Sequence, residues 1–204
     1  MNIWKSGGVI ATAVVVAASA SAEMMLLDIP TGTPGTPDFA WSTSGNGLTE
    51  SFLIESESLV WRGGGHATDG VVRAWDYESD APATGVVTFT AAEGWLFDRL
   101  EFDVSGFKEY ERQASVQIYL EGELFRDFLW NFDGNSTLIH WGASFESQLG
   151  IDNPDQISIA ISYFDGVQYA AGLDNIKIST VPAPGALALL GVAGIVGGRR
   201  RRSA

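Results

Sequence analysis

The strict alternation of apolar and polar residues in the middle of the chain restricts its fold most strongly. Leu100-Glu101-Phe102-Asp103-Val104 has this pattern, and it recurs at 116–120, 157–161 and 176–178. A period of two means that an extended strand buries one face and exposes the other to water. The pattern therefore predicts antiparallel strands around a shared core.

Five further stretches are candidate strands, at 51–54, 59–62, 86–90, 124–131 and 137–141, separated by turns that contain Gly, Asp or Asn. Glu121-Gly122 joins two candidate strands and predicts a hairpin. No long amphipathic helical stretch is present in the sequence. We therefore expect an all-β fold: an antiparallel two-sheet β-sandwich that is jelly-roll-like.

The N-terminus has the features of a secretory signal. Lys5 gives a positive start, 9–18 is an apolar run, and Ala20 and Ala22 form a small-x-small cleavage site before Glu23. A retained N-terminal helix, the alternative, would have no use for this ending. The sequence thus predicts a signal helix, export, and cleavage by signal peptidase after Ala22.

The C-terminus has three parts in order. Val181, Pro182, Ala183 and Pro184 come first, an uncharged apolar stretch fills 185–198, and Arg199, Arg200, Arg201 and Arg202 follow. The arginines are costly to move through lipid and would stay on the cytoplasmic side. A small-residue core helix is the alternative, but the stretch has no polar face. The pattern predicts a short C-terminal transmembrane helix.

This tail resembles the PEP-CTERM sorting signal of exopolysaccharide-producing, mostly Gram-negative bacteria. In that family a Pro-Glu-Pro motif precedes a transmembrane segment and a basic cluster, and an exosortase, a membrane-embedded cysteine protease or transpeptidase, processes the motif. Ala183 stands where the family usually has glutamate. The resemblance implies that 181–184 is the sorting motif and that the four arginines are the membrane stop signal. It also implies transient anchoring in the inner membrane, then release to the cell surface or extracellular matrix.

These features divide the chain into a signal peptide (1–22), a Pro/Gly/Thr-rich lead-in (23–38), a β-sandwich domain (39–180) and a sorting and anchor segment (181–204). Residues 30–37 contain too much Pro and Gly for a strand, so we expect an extended linker there. Ile178 is the expected last strand residue. The sandwich would then lie close to the membrane while the tail is attached.

The charge of the domain restricts its partners. Positions 23–180 contain 25 acidic and seven basic residues, a net charge of −18. Such a field repels nucleic acids and anionic lipids, and leaves cations, neutral glycans or simple solvation as its uses. Cysteine is absent from the sequence, so disulfides and thiol chemistry are excluded.

Catalytic signals are weak. Glu55 with Glu57, and Glu101 with Asp103, are two residues apart and would share a strand face, as glycosidase carboxylates sometimes do. Chance produces such pairs among 25 carboxylates, and His66 and His140 have no metal-ligand spacing. We therefore predict no catalytic residue and a protein that is not an enzyme. The alternative is a small secreted glycoside hydrolase or polysaccharide lyase on a jelly-roll scaffold.

Ligand candidates come from aromatic and oxygen-bearing residues. Trp75, with Asp76 and Tyr77, lies in a polar stretch where an indole face can stack on a sugar ring, although core packing is the commoner role of tryptophan. For Trp95, Trp130 and Trp141 we expect core packing. The segment 172–178 is loosely similar to the closing strand of carbohydrate-binding β-sandwiches.

Asp174 and Asn175 are candidates for a structural calcium site, with a turn-forming pair as the alternative. No other cofactor is predicted. Together these signals indicate an exported, non-catalytic protein of the cell surface or extracellular matrix, with polysaccharide as its candidate partner. A purely structural surface protein is the remaining alternative.

Overall fold

The computed structural model describes residues 24–34, 39–44 (backbone only), 52–63, 70–74, 84–106, 111–133, 138–163 and 171–185. They form the strands β1 (Met24–Gly32), β2 (Phe39–Ser44), β3 (Phe52–Glu57), β4 (Leu59–Gly63), β5 (Gly70–Ala74), β6 (Thr84–Ala91), β7 (Trp95–Ser105), β8 (Glu111–Leu120), β9 (Glu123–Asp133), β10 (Leu138–Ser144), β11 (Gln156–Tyr163) and β12 (Gly172–Pro182). A single turn of π-helix, Phe145–Leu149, follows β10.

The strands form two antiparallel sheets. The first sheet has the order β10-β7-β12-β1-β2, and β5, which also pairs with β4, joins it at β12. The second sheet has the order β3-β6-β11-β8-β9. The predicted all-β sandwich is therefore confirmed, whereas the predicted signal helix lies outside the described residues.

The strand order is that of a jelly roll. If β1 is counted as the first strand and β6 to β12 as the second to eighth, the first sheet contains the order 1-8-3-6 and the second the order 2-7-4-5. These two four-stranded orders result from two interlocked Greek keys. The last strand, β12, consequently lies inside the first sheet, between β7 and β1.

Alternation along the strands builds the core between the sheets. From the first sheet, Leu27, Leu100 and Ile178 are fully buried, and from the second, Phe89 and Ile159 are fully buried. Glu101 and Lys177, the charged neighbours of Leu100 and Ile178 in sequence, lie on the outer face of the first sheet, as the period of two requires. The core thus uses the residues that the sequence pattern selects.

Aromatic side chains fill the space between the two sheets beside β10, at one edge of the first sheet, and β9, at one edge of the second. Phe102 lies with its ring centroid 5.5 Å from that of Trp141 and 6.4 Å from that of Trp130. Phe128 stacks on Trp130 at 5.1 Å. The predicted core packing of Trp130 and Trp141 is confirmed, since both pack against the buried cluster. Trp95 is half-buried at the start of β7.

The structure confirms the predicted hairpin at Glu121-Gly122. Both residues have positive φ, 52° and 82°, and they connect β8 to β9. Two central residues in the left-handed region form the turn type whose twist matches that of the flanking strands.

The predicted lead-in at 23–38 is wrong over 24–32, which forms β1. Met25, Leu27 and Ile29 alternate into the core, and β1 pairs with both β12 and β2. Pro30 is accommodated because the register with β2 shifts between Asp28 and Thr31, and proline is tolerated at such irregularities. The sandwich therefore starts before position 39. Residues 35–38 lie outside the described part.

The prediction that Ile178 is the last strand residue is also wrong. Strand β12 continues to Pro182 because β7 extends far enough to pair with it there. The sandwich thus extends two residues past the predicted boundary at 180, into the predicted sorting motif. Strands β2 and β5 were not predicted.

Candidate functional site

The sorting motif predicted at 181–184 lies at the end of β12, against the start of β7. Val181 lies opposite Leu96, and Pro182 lies opposite Trp95. One residue further on, the backbone N–H of Ala183 donates to the carbonyl of Gly94 at 2.8 Å. Three of the four motif residues are therefore attached to the sheet, and Pro184 is exposed beyond it.

The beginning of β1 lies next to this motif. Met24 pairs with Ser179, and β1 and β12 run antiparallel from there. The predicted mature N-terminus, position 23, directly precedes Met24. Met24 therefore lies beside the last residues of β12. The start of β1 and the end of β12 therefore lie at the same end of the first sheet.

Two further elements of the predicted sorting machinery lie outside the described residues. These are the signal cleavage residues Ala20 and Ala22 and the arginines 199–202. Among the residues that the structure describes, no helix is long and apolar enough to cross a membrane. The predicted transmembrane helix, expected over the apolar stretch 185–198, lies beyond the described residues except for Gly185.

An ion-pair network occupies the outer face of the first sheet, centred on Glu101. Arg99 Nε donates to Glu101 Oε1 at 2.6 Å, and Lys177 Nζ lies 3.6 Å from Glu101 Oε2. A Cβ added at Gly142 would lie 2.6 Å from Glu101 Cγ, so glycine opposite Glu101 leaves space for its side chain. Glu101 is consequently only 7% exposed.

The surroundings of Glu101 change the pKa of its carboxyl in both directions. Burial raises the pKa because it disfavours the charged form, but the hydrogen bond and charge of Arg99, with the charges of Lys177 and His140, outweigh it. The net result is a pKa below the ordinary value of 4.5. The network therefore stabilises the fold at neutral pH, and this contribution is lost as the pH falls through the lowered pKa.

Asp103 continues the same face towards β10 and β12. His140 Nδ1 lies 2.8 Å from Asp103 Oδ1, and Asn175 Nδ2 donates to Asp103 Oδ2 at 3.0 Å. The predicted pairing of Glu101 and Asp103 on one face is confirmed, and both carboxylates hold neighbouring strands together. The other predicted pair, Glu55 and Glu57, is exposed on the outer face of the opposite sheet.

The calcium candidates Asp174 and Asn175 lie at a bulge in β12. Asp174 is buried, and its Oδ1 accepts a hydrogen bond of 3.4 Å from the backbone N–H of Ile29. Asn175 has φ of 49° and directs its amide nitrogen at Asp103. No group of three or more His, Cys, Asp or Glu in the described part of the chain is arranged to hold a metal ion. The two residues connect β12 to its neighbours, Asp174 to β1 and Asn175 to β7.

The outer face of the second sheet has a different character. At the outward positions of its three central strands, β6, β11 and β8, the side chains that the structure describes are hydroxyl, amide, aromatic or small apolar groups, and none of them is charged. We call this surface the polar face; it comprises Thr84, Val86, Thr88, Thr90, Gln113, Ser115, Gln117, Tyr119, Gln156, Ser158, Ala160 and Ser162. Acidic residues flank it on the edge strands, with Glu55 and Glu57 on β3 and Asp127 on β9.

Side-chain hydrogen bonds within and between strands order the polar face. Thr88 Oγ1 and Ser158 Oγ lie 2.8 Å apart, and Tyr119 donates its hydroxyl to Gln117 Oε1 at 2.8 Å. Gln117 Nε2 donates to Asp127 Oδ2 at 3.2 Å. These side chains are fixed relative to one another before any ligand arrives.

The glycan candidates named from the sequence, Trp75, Asp76 and Tyr77, all lie outside the described residues. Sequence reasoning did not single out the polar face. Its signal was visible in the alternating strands, where Thr88, Thr90 and Ser158 are uncharged at outward positions, but the strand pairing was needed to bring them together.

Comparisons with known proteins give a likeness in fold only. No protein-family model matches the chain, and no curated protein matches it. A family 35 carbohydrate-binding module from an environmental isolate is similar over 65% of this chain and 91% of its own, with 13% identity and a TM-score of 0.39. A family 11 carbohydrate-binding module from Clostridium thermocellum is similar over 78% and 96%, with 14% identity and a TM-score of 0.33. Because both TM-scores are below 0.5, functional inference rests on this chain's own residues.

Proposed function

We propose that this protein is exported, sorted through its C-terminal tail by an exosortase-type enzyme, and retained at the surface or in the extracellular matrix of a Gram-negative-type bacterium as a non-catalytic component. The observation that carries the proposal is the position of the tail motif. The motif begins within the closing strand of the sandwich, and Met24, which follows the predicted mature N-terminus in sequence, pairs with Ser179, two residues before the motif.

Membrane geometry supports this proposal. The signal peptide and the tail are both predicted to enter the same membrane, and the strands that they adjoin, β1 and β12, are neighbours in one sheet. The start of β1 and the end of β12 therefore lie at one end of the sandwich, as the entry of both segments into one membrane requires. Only Pro184 separates the last sheet contact, at Ala183, from the apolar stretch that starts at Gly185.

The test is to produce the full chain in an exporting host with and without an exosortase. We expect the C-terminus to change only when the enzyme is present, and the mass of the tail fragment to disappear from the exported protein. An identical C-terminus in both hosts would refute sorting by this route.

A second function, binding of a neutral polysaccharide, is favoured by the polar face. The domain carries a net charge of −18, so an uncharged surface of twelve side chains across three strands is unusual for it. Hydroxyl and amide groups both donate and accept hydrogen bonds, as the hydroxyls of a sugar do. The surrounding negative field repels polyanions, and leaves neutral glycans as the polymers that this surface suits.

The ordering of the polar face also supports binding. A ligand that meets fixed side chains does not have to immobilise them, which reduces the entropic cost of association. Tyr119 lies next to Gln117 and supplies an aromatic ring beside hydrogen-bonding groups. An aromatic ring next to amides is a suitable combination for a pyranose, which has apolar faces and polar edges.

We expect the double variant Gln117→Ala with Tyr119→Ala to bind a neutral polysaccharide at least tenfold more weakly than the wild type. Two lost hydrogen bonds of about 1 kcal/mol each, with the lost ring contact, account for that size. Affinity electrophoresis of the exported protein in gels that contain neutral glucan, galactan or mannan, or a polyuronate, measures it.

The matched control is Leu138→Ala, an exposed position on the outer face of the opposite sheet. It should leave migration in every gel unchanged. If the wild type is retarded by none of the neutral polymers, the polar face binds no glycan and the protein is a purely structural surface component.

A further inference from the structure

We infer that pairing with β7 latches the sorting motif, in the sense that it holds Val181–Ala183 on the sheet. These residues must detach from β7 before an exosortase-type enzyme can bind the backbone around Pro182. The β6–β7 turn, which holds them, therefore controls processing of the tail. This inference rests on the proposed sorting function and names the regulation of the same site. Its basis is the pairing of motif residues with Gly94, Trp95 and Leu96.

The β6–β7 turn, against which the motif is held, is itself fixed by hydrogen bonds. Trp95 N–H donates to the carbonyl of Ala92 at 3.0 Å within the β6–β7 turn, and Gly94 has φ of 84°, a conformation that glycine adopts without strain. On either side of this turn, Ala91 N–H and Phe97 N–H donate to the carbonyls of Asp155 and Pro154, each at 2.8 Å. The turn is thus fixed to the segment before β11, and the motif is the part that can move.

The moving part is held on one side only. The pairing of β1 with β12 starts at Met24 opposite Ser179, and among the described residues the motif has β7 as its only paired strand. Residues that follow one another in a strand direct their N–H groups to opposite sides. Since Ala183 donates towards β7, the nitrogen of Pro182 points to the open side, where no donor is needed.

Detachment is required because of what a protease has to reach. A peptide that enters an active-site cleft must expose the backbone around the bond that is cut, whereas Val181, Pro182 and Ala183 are half-buried against β7. A one-sided strand end with little hydrogen bonding opens at low cost compared with the whole fold. The fraction of time that the motif is detached therefore sets the rate at which it is processed.

The absence of cysteine from the sequence allows a direct test with an engineered disulfide. Val181 and Leu96 lie directly opposite each other, and opposite residues in antiparallel strands have Cα atoms about 4.5–5.5 Å apart, within the range for a disulfide. When oxidised, the double variant Val181→Cys with Leu96→Cys, which we call the lock, holds the motif on β7. The single variant Val181→Cys controls for the change in the motif itself. The pair Thr88→Cys with Ser158→Cys, opposite each other on the polar face, controls for a disulfide elsewhere.

In a host with an exosortase, the oxidised lock should be processed at least tenfold more slowly than the wild type, and added reductant should restore the rate. The oxidised pair Thr88→Cys with Ser158→Cys should be processed like the wild type, whereas the single variant Val181→Cys gives the reference rate for the change in the motif. Equal processing of the oxidised lock and the wild type would overturn the latch while leaving the sorting function in place.

A second measurement keeps the latch testable if the wild type is not processed at all, a result that would count against the proposed function. A proline-specific endopeptidase, applied to the purified full chain, reports access to Pro182 without an exosortase. The oxidised lock should again be cut after Pro182 at least tenfold more slowly than its reduced form. Equal rates would overturn the latch independently of any exosortase result.

Discussion

Truncation of the chain after Gly185 is expected to convert a membrane-retained protein into one that is found wholly in the soluble exported fraction. The truncation removes the apolar stretch and the arginines but keeps all of β12 and the bond from Ala183 to Gly94. The sandwich should therefore remain folded, and only its retention should change. Fractionation of exporting cells measures the outcome.

A milder change separates the roles of the two tail parts. Replacement of Arg199 to Arg202 by serine keeps the apolar stretch but removes a barrier of about 2.5–3.5 kcal/mol for each arginine at the bilayer centre. Retention should weaken without being abolished. If the truncated and the substituted proteins both fractionate like the wild type, the tail is not an anchor.

Phe102→Ala is expected to destabilise the sandwich by about 3–5 kcal/mol, a large part of the roughly 5–15 kcal/mol that holds a typical domain together. Phe102 is fully buried on β7 and contacts Trp130 and Trp141, where the edge strands of the two sheets meet. Its removal leaves a cavity that rigid indole rings cannot fill. Chemical denaturation of the exported protein measures the change.

Leu138→Ala is the matched control for this experiment. Its side chain is 48% exposed on the neighbouring strand β10, so its truncation should change the free energy of unfolding by less than about 0.5 kcal/mol. A Phe102→Ala protein as stable as this control would mean that the packing of Phe102 against Trp130 and Trp141 contributes nothing to the stability of the fold.

The period of two predicted most of the fold because each alternating stretch has a single consistent way to bury its apolar face. The stretches at 100–104, 116–120 and 157–161 all became strands with the expected side inward. Strand β1 was not predicted, because Pro30 and Gly32 suggest a linker when they are read locally. A register shift against β2 absorbs the irregularity, and only the folded sheet shows it.

The candidate sites depended on the sequence to different degrees. The order of motif, apolar stretch and arginines is local, so the sequence alone supports it. The hydrogen bond between Ala183 and Gly94 joins residues that are far apart in the chain, and no local pattern indicates which strand β12 will meet. The polar face is similar, since Thr88, Ser158 and Tyr119 become neighbours only through the registers of three strands.

The most direct test of the central claim is the mass of both ends of the protein isolated from its native envelope. The account predicts an N-terminus at Glu23 and a C-terminus within or immediately after 181–184, either free or carrying an added group. A protein that retains every residue to Ala204 would contradict it, because the tail would then not be a signal that is processed.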